Sequence, residues 1–316
     1  MDVSVCIVNW NTRELLRSCL RSLQACTRGL SWEVIVVDNH SSDGSARMVA
    51  TEFPWVRLLA RPDNTGFSRG SNLAATVARG DCLLYLNPDT ELSGNALLAM
   101  WRYLRRHRDC GAVGCRLLNS DGSLQLTCAC TYPTPRNELS TLLGLDRLFP
   151  RSAIFSAREM AYWDRAHSRD VDCLSGACMM VPRALAERLG GFDERLFMYA
   201  EDLDLCRRIQ RSGLRLRYLA TESIYHHEGA ASRRKGRSFA PVRQRQANFY
   251  FLNKHFGRAT GRAYRAAVAL GTAVRAGLAL LATPVTLLKP ATWRQRWHDR
   301  MAVNGAVLMW ALGLRR

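Results

Sequence analysis

Lysine is scarce in this chain: Lys235, Lys254 and Lys289 are the only three in 316 residues, so its basicity rests on arginine. That bias follows genome composition as readily as chemistry, and no arginine-specific role is read from it. Zinc-type cysteine spacing is missing too. The eleven cysteines are scattered, with only Cys128 and Cys130 close together, and no secretory signal precedes the apolar run at Val3. Small buried thiols in a reducing cytosol are the expectation. No G-x-G-x-x-G follows that run and no P-loop lysine motif occurs, which removes the two commonest phosphate cradles. A nucleotide's phosphates would need another partner, and a carboxylate-held divalent cation is the economical one. Acids are missing from one end: from Leu205 onward there are 22 Lys and Arg against 3 Asp and Glu. A near-neutral domain thus carries a basic tail, which points to a polyanion, either nucleic acid or an anionic membrane face.

What is present alternates between strand and helix patterns. Val3–Val8 is a short apolar strand; a helix follows, with Leu15, Leu16, Cys19, Leu20 and Leu23 on one face. Trp32–Val37 and the weaker Val56–Ala60 are further strands. Asn64–Asn72 is a Gly-punctuated turn opening a helix to about Ala78. Leu83–Thr90 (LLYLNPDT) reads as a buried strand stopped at Asn-Pro, delivering Asp89 at its exit. A helix near Asn95–His107 and a strand near Ala112–Leu117 come next. Such alternation means right-handed βαβ units, a mainly parallel central sheet and flanking helices. Ligands of open α/β sheets sit beyond the strands' carboxyl ends, so Asp38, Asn64 and Asp89 should line one crevice.

The second half is less regular. Thr127–Asp170 is expected to be a mobile loop or acceptor-side flap, with Trp163 able to stack on a sugar or simply to pack. Val171–Val181 resumes a strand pattern, and Ser175-Gly176 allows close backbone approach there. Gly190–Glu194 is a turn, and Phe197–Ile209 reads as a helix. Glu201, Asp202 and Asp204 crowd its first turns, where the dipole favours negative charge. Pairing with Arg207 or Arg208 accounts for Asp204, whereas at least one of the other acids is a candidate base. Leu214–Leu219 is a strand, followed by His226 and His227, whose rings must point to opposite faces if the strand continues.

Taken together, these residues resemble the family 2 inverting glycosyltransferases, in particular the rhamnosyltransferase-like branch of bacterial surface-polysaccharide synthesis. The matching pieces run in order over about three-quarters of the chain: VSVCIVNWN (Val3–Asn11), VVDNHSSDGS (Val36–Ser45), NTGFSRGSN (Asn64–Asn72), LNPDT (Leu86–Thr90), LSGACMMVPR (Leu174–Arg183), GGFDERLFMYAEDLDLCRR (Gly190–Arg208) and HHEGAAS (His226–Ser232). The resemblance implies the GT-A fold over residues 1–232. It also implies that Asp38 contacts the donor's base or ribose, with Asn9, Asn64, Asn72 and Asn87 on the nucleotide side. Asp89 matches the last acid of the metal-binding D-x-D, whose first acid is here replaced by Asn87, and implies Mg²⁺ or Mn²⁺. His227 fits the late His-x-Gly pattern as a further metal ligand, with His226 beside it as the other choice. Asp202 matches the catalytic base, and Ser175, Gly176, Glu194, Glu201 and Trp163 fall on the substrate side. The implied partners are a nucleotide-diphospho-sugar donor and a saccharide or polyprenyl-linked acceptor.

Residues 233–316 lie outside those motifs. Ala263–Leu288 is long and apolar but holds Arg265, Arg275 and Pro284, which suits an interfacial helix better than a full span. Trp293, Trp297 and Trp310 mark a second amphipathic piece. Docking to an anionic membrane surface, at the cytoplasmic face of the plasma membrane, and packing as a soluble helical subdomain both remain open. Three function classes follow. The leading one is a transferase using dTDP-rhamnose, with a UDP-hexose as alternative donor. The second is a non-catalytic nucleotide-sugar-binding partner at the membrane. The third, a nucleic-acid binder, would bind with steep salt dependence and no need of Asp89; no nucleic acid is expected.

Overall fold

Seven successive residues of β1 (Val3–Asn9) are buried, as are all five of β4 (Cys82–Leu86). Continuous rather than alternating burial belongs to strands covered on both faces, where each fully buried large aliphatic contributes roughly 1.5–3 kcal/mol. In the computed structural model, which describes residues 1–227, 238–284 and 290–314, these strands lie in a nine-stranded mixed sheet. Its order is β3 (Arg57–Ala60), β2 (Trp32–Asp38), β1, β4, β10 (Cys178–Pro182), β6 (Cys110–Leu118), β11 (Arg215–His226) and β5 (Thr90–Leu92), with β8 (Arg169–Asp170) pairing to β11. The parallel run β3 (Arg57–Ala60), β2 (Trp32–Asp38), β1 and β4 ends at one edge, bringing Asn9, Asp38 and the Asn87–Asp89 turn to the same side. Helix α1 (Arg13–Cys26) buries Leu16, Cys19, Leu20 and Leu23, the face its 3.6-residue period selects. Helices α2 (Ser45–Glu52), α3 (Gly66–Thr76) and α4 (Ala96–Arg106) follow β2, β3 and β5 (Thr90–Leu92) in turn.

Past β6 (Cys110–Leu118) the order departs from simple alternation. The stretch expected as one strand over Val171–Val181 is broken by the Ser175–Ala177 turn. Around it lie β8 (Arg169–Asp170), β9 (Cys173–Leu174) and β10 (Cys178–Pro182), with β9 paired to β7 (Ala129–Cys130) in a separate two-stranded sheet. Strand β10 inserts antiparallel between β4 and β6, so the sheet's parallel character is interrupted at its centre. After α7 (Arg183–Arg188), helix α8 starts at Glu201, four residues later than its pattern suggests, because Tyr199 and Ala200 hold left-handed backbone (φ 71° and 62°). Strand β11 (Arg215–His226) outruns the expected Leu214–Leu219. Its pairing with β6 slips between Leu219 and Ser223, and its last residues reach β5, setting His226 opposite Thr90.

The chain divides into two units: residues 1–131 with 164–231, and residues 132–163 with 232–316. The second is helical. Thr134 caps α5 (Pro135–Leu143) in a reciprocal capping box with Asn137, and α6 (Leu145–Leu148) follows. Helix α9 (Phe239–Leu281) is kinked at Gly257, and it packs on α5 and the residues just before it: Phe251 stacks on Tyr132 at 5.4 Å, and Tyr264 donates to Glu138 at 3.1 Å. Gly271 lets Leu142 approach so closely that any Cβ there would lie 2.7 Å from it. Helix α10 (Ala291–Ala311) runs along α9, with Arg265 donating to the carbonyls of Trp310 and Ala311. Among the described residues, α9 is the one helix long and apolar enough to cross a membrane, by length and composition. The end of the HHEGAAS motif, the Arg233–Arg237 run and residues 285–289 lie outside the described residues.

Candidate active site

At the ends of β1 and β2 a polar lattice fixes Asp38. Asn9 donates from Nδ2 to Asp38 Oδ1 (2.8 Å), Ser41 N–H donates to Oδ2 (2.9 Å), and Thr12 Oγ1 holds Asn9 Oδ1 at 2.6 Å. The carboxylate is buried, yet it offers about four acceptor directions and these bonds use two. The neighbouring Asn39 ties this edge to the Gly-punctuated turn by donating to Gly66 O (2.9 Å). Asn64 closes that turn on itself, its Oδ1 accepting from Gly66 N–H. Asn72 grips the backbone of Phe192 from both sides, accepting from its N–H (2.8 Å) and donating to its carbonyl (2.9 Å). Glu194 sits beside it, within reach of Asn72 and of Arg69. The Asn64–Asn72 loop is therefore bolted to the Gly190–Phe197 turn. Gly66 is required there: at φ +85° any Cβ would lie 2.5 Å from Phe197 O.

The exit of β4 brings a carboxylate and an imidazole together. His226 Nε2 lies 3.3 Å from Asp89 Oδ1 and 3.2 Å from Asn87 Nδ2. On the ring's other side, Gln125 Oε1 sits 2.9 Å from His226 Nδ1. That amide is oriented by its own donations to Asn119 Oδ1 (2.8 Å) and His226 O (2.7 Å), so Oε1 must accept and Nδ1 must carry a hydrogen. In the neutral ring the lone pair is then on Nε2, aimed at Asp89. Asn87 Nδ2, 3.2 Å away, can donate to that lone pair, and ring and carboxylate together present two donor atoms that a cation can take. The donor set suits a divalent ion. One carboxylate and one imidazole, with the Asn87 amide beside them, leave most positions to diphosphate oxygens and water, as Mg²⁺ and Mn²⁺ commonly require. Among the described residues no three His, Cys, Asp or Glu form a cage by themselves. The motif pointed to His227, but its ring turns away, with Nε2 3.2 Å from Glu91 and Nδ1 2.6 Å from Ser120. Only its backbone N–H reaches Asp89, at the carbonyl (2.8 Å). Adjacent strand residues face opposite ways, and the slip in β11 sets which of the two faces inward.

The Ser175–Ala177 turn links that exit to α8. Ala177 O accepts from Asn87 N–H (3.0 Å), and Gly176 N–H donates to Asp202 Oδ2 (3.0 Å). A Cβ at Gly176 would meet Asp202 Cβ at 3.4 Å, so the residue sits in near-contact with the acid. Asp202 Oδ1 takes the N–H of Leu203 (2.8 Å). Beside it Glu201 is buried with Oε2 unpartnered, and desolvation together with the charge of Asp202 pushes its pKa up to about 8. The third acid, Asp204, faces the core and pairs with Arg208 at 2.8 Å, as helix spacing suggests. Trp163 belongs to the helical unit rather than to the one that carries these acids. Sequence reasoning missed Gln125, Asn39 and Ser41. Ser41 and Asn39 sit inside a quoted motif and were open to notice, while Gln125 carries no local signal.

Solved structures share this architecture. The mannosyltransferase PcManGT from Pyrobaculum calidifontis, in complex with GDP-Man and Mn2+, matches over 99% of this chain and 88% of its own, with a TM-score of 0.59 at 20% identity. S. aureus TarS 1-349 in complex with UDP covers 99% and 92%, with a TM-score of 0.51 at 17% identity. Both likenesses show the fold, that of GT-A nucleotide-sugar transferases. The chain belongs to glycosyl transferase family 2, whose model matches residues 4–168; a second, glycosyl transferase family group 2, matches residues 117–314. It is accordingly an enzyme of sugar transfer. Among curated relatives, the N-acetylglucosaminyl-diphospho-decaprenol L-rhamnosyltransferase of Mycobacterium tuberculosis is 28% identical over 71% of this chain and 76% of its own length. Rhamnosyltransferase WbbL of Escherichia coli is 28% identical over 71% and 83%.

Proposed function

We propose that this enzyme transfers rhamnose from dTDP-rhamnose, with inversion, to a hydroxyl of a lipid-linked saccharide in cell-surface polysaccharide synthesis. The names of the two relatives support the sugar, and that of the mycobacterial protein supports the acceptor. A UDP-hexose is the alternative donor, favoured by the UDP-bound neighbour. The observation that carries the catalytic reading is the three-residue turn with Asp202 on its Gly176 side and the Asn87–Asp89 exit on its Ala177 side.

In this reading Asp202 takes the proton of the acceptor hydroxyl. The hydroxyl oxygen forms its bond to the anomeric carbon from the face opposite the nucleotide, and the bond from that carbon to the diphosphate oxygen breaks. Glu201 stays protonated below about pH 8. It thereby spares Asp202 a second negative neighbour and has an O–H to donate. Asp89 and His226, with Asn87, would hold the divalent ion, which when bound supplies positive charge where the diphosphate becomes more negative. Asp38, set by Asn9 and Ser41, has acceptor directions left for a ribose hydroxyl or base N–H. With such an acceptor the enzyme works at the cytoplasmic face of the plasma membrane, as a peripheral protein.

The test is release of nucleoside diphosphate from a panel of nucleotide sugars, with Mg²⁺, Mn²⁺ or chelator, with and without a membrane-lipid extract. Release from dTDP-rhamnose that needs metal and Asp202 and rises with lipid is the expected result. Release from a UDP-hexose alone moves the donor. Nucleotide binding without turnover under any condition selects a non-catalytic partner instead.

A further inference from the structure

The second half of α9 has two apolar faces, and among the described residues one is covered and the other stands exposed. Gly261, Tyr264, Val268, Gly271 and Thr272 are buried, with Tyr264 and Gly271 set against Glu138 and Leu142 of α5. On a separate stripe at helical spacing, Ala266, Leu270, Val274, Leu278 and Leu281 stand exposed, Leu270 at 58%, Leu278 at 63% and Leu281 at 80%. Over the fifteen helical steps from Ala266 to Leu281 the stripe runs about 22 Å. An uninterrupted exposed apolar row of this length is not an ordinary protein surface. Trp293, at the start of α10, is also exposed (56%), whereas Trp310, which the sequence also offered as a headgroup residue, is buried near Arg265 and Phe249.

Charge decides what covers the stripe. Residues 232–316 hold 17 Lys and Arg against a single acid, Asp299. Arg258, Arg262 and Arg275 on α9 and Arg294, Arg296 and Arg300 on α10 are exposed. Partial desolvation and the like charges of Arg245, Arg147 and Arg300 hold Arg275 below its ordinary pKa. A surface that gathers guanidinium groups to that degree fits a dense anionic partner better than a second copy of itself, which would bring the same charges face to face. The buried face also rules against a full span, since α5 covers one side of the helix that a bilayer would have to solvate.

We infer that the exposed stripe of α9 from Ala266 to Leu281 lies in the headgroup–acyl boundary of an anionic bilayer, with the surrounding arginines on lipid phosphates. The inference rests on the lipid-linked acceptor proposed above and adds the surface that meets the lipid. It is tested with the full-length protein on vesicles of phosphatidylcholine alone and of phosphatidylcholine with phosphatidylglycerol, by co-sedimentation. Strong binding to the anionic vesicles only is expected. The exposed double substitution Leu270→Asp with Leu278→Asp should lower that binding at least tenfold. Arg262→Ala should weaken it about fivefold and flatten its salt dependence. Donor binding, followed by nucleotide titration, should be unchanged in all variants, which separates loss of docking from loss of fold or of the transferase reading. Equal vesicle binding by wild type and double variant overturns the inference. So does a wild-type dimer in light scattering that the double variant abolishes while vesicles bind neither.

Discussion

In the sheet unit most charge is answered locally: Arg215 pairs with Asp109 and Asp170, Arg79 with Glu33, Arg208 with the buried Asp204. In the helical unit Arg245 pairs with Glu138, yet the 17 Lys and Arg beyond position 231 share that stretch with a single acid, Asp299. The first arrangement suits a site whose few uncompensated groups must act on one ligand, because every stray charge nearby would blur its field. The second suits a surface whose partner is large, anionic and not read atom by atom. The proposed catalysis and the proposed adhesion thus fall on different stretches of one chain, and that division can be attacked from the catalytic side.

The largest effect should come from Asp202→Asn, which lowers turnover by about 10²–10⁴ while leaving nucleotide affinity within a factor of two or so. Steady-state kinetics beside a nucleotide titration checks it, and full turnover in the variant removes Asp202 as the base. Next, Arg208→Met leaves Asp204 buried without its cation and should cost about 3–5 kcal/mol in denaturant unfolding of the sheet unit. A smaller cost would mean that the unit does not depend on local charge matching. Glu201 gives a pH signature. Its folded pKa, about 8, exceeds its ordinary 4.5, so the folded state binds the proton more tightly. Its contribution is therefore fully present below pH 4.5 and is lost as pH rises to about 8. Glu201→Gln should then be more stable than wild type by on the order of 2–4 kcal/mol at pH 9 and equal to it near pH 4. Thermal melts across that range would show a constant difference if the carboxyl were already ionised at neutrality. The smallest effect separates the two histidines. His226→Ala should raise the metal concentration needed for half-maximal activity about 10- to 100-fold, and His227→Ala should leave it nearly unchanged.

Much of the sheet unit was legible from residue order. Continuous apolar runs marked β1, β2 and β4, and Asn-Pro marked where β4 stops, because local period and turn chemistry decide those features. The delayed start of α8 was not legible: nothing in Phe-Met-Tyr announces left-handed backbone at Tyr199 and Ala200. Nor was the choice of histidine. It depends on a slip in β11 against β6, a property of two strands far apart in sequence. Gln125 escaped for the same reason, since its role exists only once β11 has delivered His226 to it. Residues 132–163 looked irregular because their partners, Phe251, Tyr264 and Gly271 of α9, come more than a hundred residues later.

That last pairing bears on how the protein is made. Helix α5 leaves the ribosome long before α9 exists, so Tyr132, Leu139 and Leu142 wait without cover through the synthesis of the rest of the sheet unit. A chain halted at residue 232 would keep every described strand and the candidate active-site acids Asp38, Asp89, Glu201 and Asp202, yet leave those side chains permanently exposed. Such a fragment should be recovered from cells as aggregate rather than as a trimmed enzyme, and a helper that shields apolar surface during translation should raise the yield of the full chain.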